Sequence, residues 1–347
     1  MKVLHLLASN QFSGAENVVC QIINMMNNEP NIAMLYCCPD GPIREALHVR
    51  NISYVSITAL TVSEIKRVVK ENRPDIVHAH DMRASFMASL ACGECALISH
   101  IHNNAFDSRH LSIKSMAYFF AARKANHIFW VSESAYKDFI FKRVFAKKSE
   151  VLRNIIDTEG LYERMRLDHN TYDYDIIYVG RLTYPKNPER LIRVCAGVVA
   201  QKPDATIAIV GTGELETEAK SLCHELKLDK NITFLGFQSN PLKILRDSKV
   251  MLMTSRWEGT PMCALEAMAL GVPIVSTPTD GLKNLIEDGV SGYLCDNDSE
   301  MIKKTLDLLL NSRLRAVFSE RNVVKSREEN RSEIYREKLL QAYSKRR

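Results

Sequence analysis

A chain of 347 residues with 46% apolar and 25% charged residues is too long for one ordinary core and too apolar for disorder, which suits two globular domains. Its formal charge of +5 is mild over that length, so phosphates or an anionic membrane surface are acceptable partners and nucleic acid is not expected. The nine cysteines are scattered, and the one close pair, Cys92 and Cys95, has no second pair or histidine group beside it, which excludes a disulfide framework or a zinc ribbon.

From the start, short apolar runs alternate with amphipathic segments. Residues 3–7, 32–38, 76–80, 96–101 and 128–131 read as buried parallel strands with helices between them. The same grammar restarts at 176–179 and continues through 205–210, 232–235, 250–254 and 273–277, which predicts a second sheet. The polar stretch 157–173 between the two series is the expected linker. The reading is therefore α/β, with two facing Rossmann-like domains over 1–165 and 172–330 and a cleft between them. Residues 331–347 form a final amphipathic helix, carrying Ile334, Leu339, Leu340 and Tyr343, that packs back across a domain. The apolar start is too short for a signal segment and no later run of about 20 apolar residues exists, so the expected location is the cytoplasm.

In open α/β sheets ligands sit beyond the carboxyl ends of the strands, so the loops there are where chemistry is expected. After the first strand, Ser13 and Glu16 have capping-box spacing and Gly14 leaves the first helical turn open to an anion. After residue 179 comes a loop from Gly180 to Asn187, in which Arg181 and Lys186 feed the positive end of a helix opening at Asn187 and Pro188. Two cations there suit a diphosphate. Gly211 and Gly213, after the next strand, resemble half of a dinucleotide fingerprint and suit the approach of a ribose or base to the backbone. The segment from Ser255 to Ala269 is the most informative. Thr260 and Pro261 mark a helix start that presents the amides of Met262 and Cys263 to an anion, with Glu258 on the preceding loop beside Gly259 and Glu266 inside the helix. Carboxylates accept hydrogen bonds from sugar hydroxyls, so two glutamates flanking an anion site suit a sugar joined to a phosphate. His78 and His80 alternate on one strand and share a face, and without a carboxylate partner they read as structural.

Glu258, seven intervening residues and Glu266, within Glu-Gly-Thr-Pro-x4-Glu-Ala-Met-Ala-x-Gly-x-Pro, resemble the donor-site signature of the family 4 retaining glycosyltransferases of the GT-B fold, glycosyl transferases group 1. The loop from Gly180 and Arg181 to Lys186 resembles the same family, as do Gly14 to Glu16, residues 75–80 and residues 153–157. The resemblance implies that Arg181 and Lys186 hold the donor diphosphate, Glu266 bonds the ribose and Glu258 contacts the sugar hydroxyls. It also implies that Gly14 lies against the phosphate and that His102, with His100 as the competing candidate, stands beside the donor sugar. Where the family carries a Gly-Gly pair, this chain has Pro278, Thr279, Asp280, Gly281 and Leu282.

The expected reaction is retaining transfer of a hexose-type sugar from a UDP-sugar, with a GDP-sugar as alternative, to a saccharide or lipid-linked acceptor in surface polysaccharide or glycolipid synthesis. No strand ends in Asp-x-Asp, and Asp296, Asn297 and Asp298 read as a turn into a helix, so no metal or other cofactor is expected. A nucleotide-sugar epimerase or a non-catalytic nucleotide-sugar-binding subunit are the competing readings. Asp81, just after His80, is a possible first-domain base. Between residues 116 and 148, aromatic and basic side chains interleave; if Phe139 to Lys148 is exposed, it suits an anionic membrane and a peripheral position on its inner face.

Overall fold

A computed structural model describes residues 1–27, 29–103 and 108–345. Two compact units emerge, Met1–Ile155 with Arg331–Arg347, and Ile156–Asn330. In chain order the first holds β1 (Lys2–Leu6), α1 (Gly14–Met26), β2 (Ala33–Pro39), α2 (Ile43–Val49), β3 (Tyr54–Ile57), α3 (Val62–Asn72), β4 (Ile76–His80), α4 (Met82–Ala91), β5 (Ala96–Ile101), α5 (Ile113–Lys124), β6 (His127–Trp130), α6 (Glu133–Asp138) and β7 (Ser149–Val151). The second holds α7 (Thr158–Arg166), β8 (Tyr174–Val179), α8 (Pro188–Gln201), β9 (Ile207–Val210), α9 (Glu216–Glu225), β10 (Ile232–Gly236), α10 (Leu242–Arg246), β11 (Ser248–Met253), α11 (Met262–Ala269), β12 (Ile274–Ser276), α12 (Asp280–Lys283), β13 (Gly292–Leu294), α13 (Asp298–Leu310) and α14 (Ser312–Glu329). The last helix, α15 (Ser332–Ser344), belongs to the first unit.

Among the described residues each unit carries one parallel sheet, ordered β3-β2-β1-β4-β5-β6-β7 in the first and β10-β9-β8-β11-β12-β13 in the second. Their central strands are continuous apolar runs because helices cover both faces, and every residue of β4 and β5 is buried. Strand order reverses between β1 and β4 and again between β8 and β11. At such a reversal neighbouring helices leave on opposite faces, and the two loops beyond the strand ends open a crevice. Strands β3, β7 and β13 escape sequence patterning for one shared reason: each lies at or next to a sheet edge, is three or four residues long, and lacks a long apolar run.

The stretch 157–173, expected as a linker, is corrected by the structure. Helix α7 buries Leu161 against Leu242 and Ala269, and the Tyr162 hydroxyl donates to the Ala269 carbonyl at 2.9 Å, so this helix is part of the second unit. The boundary falls between Ile155 and Ile156 instead of after 165. There Asn330 accepts from the Ile156 amide at 2.8 Å and donates to its carbonyl at 2.5 Å, pinning the entering and leaving segments of the second unit to each other. Helix α15 buries Tyr335, Leu339 and Tyr343, and ion pairs from Arg336 to Glu29 and from Lys338 to Glu150 hold it. Ile334, expected on its buried face, is 43% exposed; Tyr335 takes that place.

Candidate functional site

At the β8/β11 reversal the two loops that carry the predicted cations and carboxylate are neighbours by topology. The loop after β8 is first zipped to the loop after β9: the Gly180 amide donates to Val210 at 3.0 Å, the Leu182 amide to Thr212 at 2.9 Å, and the Leu215 amide returns to Leu182 at 2.9 Å. This close approach explains the two glycines. A Cβ on Gly211, whose φ is +130°, would lie 2.0 Å from the Gly180 carbonyl, and one on Gly213 would lie 2.2 Å from that of Leu182. The missing side chains of both glycines make room for the chain's own backbone.

The same loop is clasped to the one after β11. Arg256 lies over the Tyr184 ring at 4.4 Å, donates to the Tyr184 carbonyl at 3.2 Å and to Asn187 Oδ1 at 3.0 Å. Thr254 Oγ1 donates to the Asn187 carbonyl at 3.1 Å. Asn187 precedes Pro188 at the head of α8 as expected, but it is left-handed, with φ 56°, and its side chain is held by Arg256 instead of capping the helix. The clasp brings Lys186 Nζ to 2.5 Å from Glu258 Oε1, and the Ser255 hydroxyl donates to that same oxygen at 2.6 Å. Burial pushes the Lys186 pKa down, but attraction to Glu258 outweighs it and the net shift is upward, so Lys186 stays a cation. Arg181 is exposed and has no ion-pair partner among the described residues, while the Tyr178 hydroxyl steadies its carbonyl at 2.9 Å.

Helix α11 begins at Met262 with Pro261 as its extended N-cap, one residue later than the Thr260–Pro261 start predicted, and no side chain caps it. Its first backbone bond is from Ala264 to Pro261, so the Met262 and Cys263 amides have no helical acceptor. Gly259 and Thr260 are buried just before it. Glu266 is buried within the helix. The Cys263 thiol marks how tightly these charges gather: burial raises its pKa to about 12, Lys186 pulls it down, and Glu258 and Glu266 both push it up. Where the Gly-Gly pair is missing, Gly281 still packs directly on the Gly259 carbonyl, since a Cβ there would come within 1.4 Å of it.

In the first unit Gly14 is exposed as the first residue of α1. The capping box predicted there does not form, because the Ser13 hydroxyl donates to the Glu16 carboxylate at 2.5 Å instead of accepting a backbone amide. Asp81 caps α4, accepting from the Ala84 amide at 2.9 Å from a strained backbone with φ 77°; burial raises its pKa against the pull of those amides.

His78, His80, His100 and His102 are joined by His5, a residue that sequence reasoning missed. Register places His5 opposite His78 and His80 opposite His100, so the five rings share one face of β1, β4 and β5. The signal lay in two His-x-His runs on strands that turn out adjacent. Nitrogens of His5, His78 and His80, and of His80, His100 and His102, lie within 4.8 Å of one another. Yet the rings stack, with His78 and His80 centroids 4.4 Å apart at 26°, whereas a metal ion must lie in the plane of each ligating ring. His80 also spends both nitrogens on neighbours, accepting or donating to His5 at 3.0 Å and to His102 at 2.8 Å. Arg256, Ser255 and Tyr184 were likewise missed, since an arginine and a tyrosine on separate loops carry no local sign of their meeting.

The basic-aromatic stretch is also redistributed. Phe139 and Phe145 are buried with Tyr118 and Trp130, while Ile113 (92% exposed), Met116 and Phe120 (56%) on α5 and Ile140 and Val144 beyond it are exposed. Phe119 joins the two segments, its ring 4.8 Å from Phe141 and 5.3 Å from Phe145. No helix among the described residues is long and apolar enough to cross a membrane.

Residues 12–160 match the Glycosyltransferase Family 4 family and residues 163–327 match Glycosyl transferases group 1. The chain is 25% identical to a UDP-Gal:alpha-D-GlcNAc-diphosphoundecaprenol alpha-1,3-galactosyltransferase of Escherichia coli, over 90% of this chain and 89% of that protein. It is 24% identical to the capsular polysaccharide biosynthesis glycosyltransferase CapH of Staphylococcus aureus, over 98% of this chain and all of the relative. The crystal structure of Anabaena Alr3699/HepE in complex with UDP-glucose superposes with a TM-score of 0.84 at 20% identity, covering 99% of both chains. Two sheets with the Rossmann strand order, a cation and two buried glutamates gathered at the second switch point, and family matches over both units agree: the chain belongs to the family 4 glycosyltransferases of the GT-B fold, glycosyl transferases group 1.

Proposed function

We propose that this glycosyltransferase moves a hexose-type sugar from a UDP-sugar to a lipid-linked saccharide, with retention of anomeric configuration and without a metal ion, in surface polysaccharide or glycolipid synthesis. The observation that carries the reading is the Lys186–Glu258 pair beside the bare amides of α11. A departing nucleoside diphosphate gathers negative charge in the transition state, and a held cation with oriented amides stabilises it with little reorganisation. Lys186 has three donors and Glu258 uses one, which leaves two for phosphate oxygens. Arg181, which has no ion-pair partner among the described residues, supplies a second cation. Both donors reaching Glu258 end on Oε1, so Oε2 is the oxygen for a sugar hydroxyl; Glu266 takes the ribose.

Metal independence rests on what the acidic run at 296–298 does. Asn297 caps α13, accepting from the Glu300 amide at 2.9 Å, and Asp298 pairs with Arg190 at 2.6 Å, so these groups serve a helix start. Glu258, bound through Oε1 to Lys186 and Ser255, argues against a covalent sugar intermediate, and retention is what the family resemblance implies. The leaving phosphate then takes the acceptor's proton on the face it departs from. The E. coli relative's substrate is built on diphosphoundecaprenol, which supports a lipid-linked acceptor, and the exposed apolar side chains Ile113, Met116 and Phe120 of α5 suit an anionic inner-leaflet surface.

The test is thermal stabilisation by UDP and by a panel of UDP- and GDP-hexoses, followed by UDP release with and without acceptor. The reading expects UDP-hexoses to stabilise the protein and UDP to be released. A changed sugar without release marks an epimerase, and binding without release marks a non-catalytic subunit.

A further inference from the structure

The turn that carries Lys186 does not hold itself. Asn187 has a left-handed backbone, φ 56°, which costs energy in a residue other than glycine, and Pro188 after it has no amide with which to close the turn. Inside the turn the Lys186 amide donates to the Thr183 carbonyl at 2.9 Å, and the Asn187 amide is shared between Thr183 and Tyr184 at 3.2 and 3.3 Å. The remaining support comes from three consecutive residues just after β11. The Thr254 hydroxyl lies between the Lys186 and Asn187 carbonyls, at 3.3 and 3.1 Å. The Arg256 amide donates to the Pro185 carbonyl at 2.8 Å, and its guanidinium donates through Nε to the Tyr184 carbonyl and through Nη2 to Asn187 Oδ1. Every carbonyl from Tyr184 to Asn187 therefore meets Thr254 or Arg256.

Ser255, between those two, donates to Glu258 Oε1, the oxygen on which Lys186 Nζ also ends, and its own carbonyl is anchored by the Thr277 hydroxyl at 2.7 Å. One short segment thus places both halves of the ion pair. A lysine stem has several rotatable bonds, and fixing the main chain on both sides of it restricts the space its ammonium sweeps. The side chain that does most of this is Arg256. Its fork reaches acceptors on two residues that flank Lys186, while its flat face lies 4.4 Å over the Tyr184 ring. A lysine has no such planar fork and cannot reproduce all three contacts.

We propose that Arg256 is a positioning residue: its guanidinium, spread over Tyr184 and Asn187, fixes the turn between them so that the Lys186 ammonium rests on Glu258 in place for the donor diphosphate. Arg256 then acts on turnover only through Lys186. That consequence rests on the proposed function; the clasp itself does not.

The test has two arms on the full chain. In the first, kcat/KM for UDP release is measured for Arg256→Ala, for Lys186→Gln, which keeps a donor for Glu258 but no charge, and for the double variant. Arg256 is exposed, so its removal should leave the protein folded. Arg256→Ala alone should lower kcat/KM by about 10- to 100-fold, the scale of misplacing a reacting group, and by less than about threefold once Lys186→Gln is present. The same loss in both backgrounds means that Arg256 acts independently of Lys186, and overturns the proposal. Arg256→Lys keeps the charge without the fork and should behave like Arg256→Ala; full turnover in it also overturns the proposal. The second arm needs no nucleotide sugar: acetic anhydride labels lysine amines, and mass spectrometry reads the rate at each. Lys202 is the control, its side chain 19% exposed against 20% for Lys186 and paired with Asp175 at 3.1 Å. Either Arg256 variant should speed acetylation of Lys186 and leave Lys202 unchanged. An unchanged Lys186, or an equal rise at Lys202, overturns the clasp. If the unaltered protein neither binds a nucleotide sugar nor releases UDP, the proposed function fails and the labelling still decides the clasp.

Discussion

Lys186 and Arg181 carry like charges on one loop, yet their surroundings predict different consequences of removal. Arg181 is exposed and unpaired, so Arg181→Ala should leave the melting temperature unchanged and lower kcat/KM by roughly 30- to 1,000-fold, the scale of about 2–4 kcal/mol for one charge-stabilising donor. Lys186→Ala should do the same to turnover and also destabilise the fold by about 3 kcal/mol or more, because it leaves the buried Glu258 carboxylate with Ser255 alone. Turnover and urea melts on both variants check this; near-normal turnover in a folded Arg181→Ala or Lys186→Ala protein places the cradle elsewhere. Asp81→Asn separates a cap from a base. Asparagine caps a helix as well as aspartate does, so the variant should fold and keep its turnover, whereas a loss of 100-fold or more would make Asp81 the proton acceptor. The pairing of the Lys186 and Glu258 loops was legible because charges on loops at strand ends have few other reasons to be there. Gly211 and Gly213 announce close approach, and what approaches on the side of their missing side chains is the chain's own backbone, which a glycine in a sequence does not specify.

Among elements, the histidine layer and α15 make the sharpest forecasts. Burial lowers the pKa of His78, His80 and His100 well below 6.5, and of His5 and His102 to about 3, so the folded chain binds fewer protons than the unfolded one in that interval. Stability is therefore full above about pH 6.5 and should fall as pH drops below it, by up to about 1.4 kcal/mol per pH unit for each histidine. Urea melts between about pH 7.5 and 5 test the sign; a flat or rising stability on acidification contradicts it. The Tyr343 hydroxyl, 2.8 Å from His78 Nδ1, ties α15 to the layer, so Tyr343→Phe should cost about 1–3 kcal/mol through the unpartnered imidazole, and Tyr343→Ala about 3–5 kcal/mol. Most strands were legible because helices on both faces demand unbroken apolar runs. Edge strands β3, β7 and β13 were not, and α7 was taken for linker because only Leu161 on that helix is fully buried among charged neighbours.

For the whole molecule, neither the acceptor nor its surface is spelled by any motif. The exposed apolar face of α5 comes to light only once Phe139 and Phe145 are known to be buried. Anionic vesicles at low salt should bind the protein, Ile113→Asp with Phe120→Asp should release it, and neutral vesicles should not bind; equal behaviour of the variant and the unaltered chain removes the membrane reading. Turnover should survive EDTA if Lys186 and the α11 amides meet the leaving group's charge as proposed; loss in EDTA with recovery on adding Mn would show that a metal does so. The central claim is front-face transfer with the leaving phosphate as proton acceptor, and the coupling constant of the product's anomeric proton tests it most directly. Measured by NMR against that of the donor, in EDTA, it should show the donor's configuration retained; an inverted product would contradict the account.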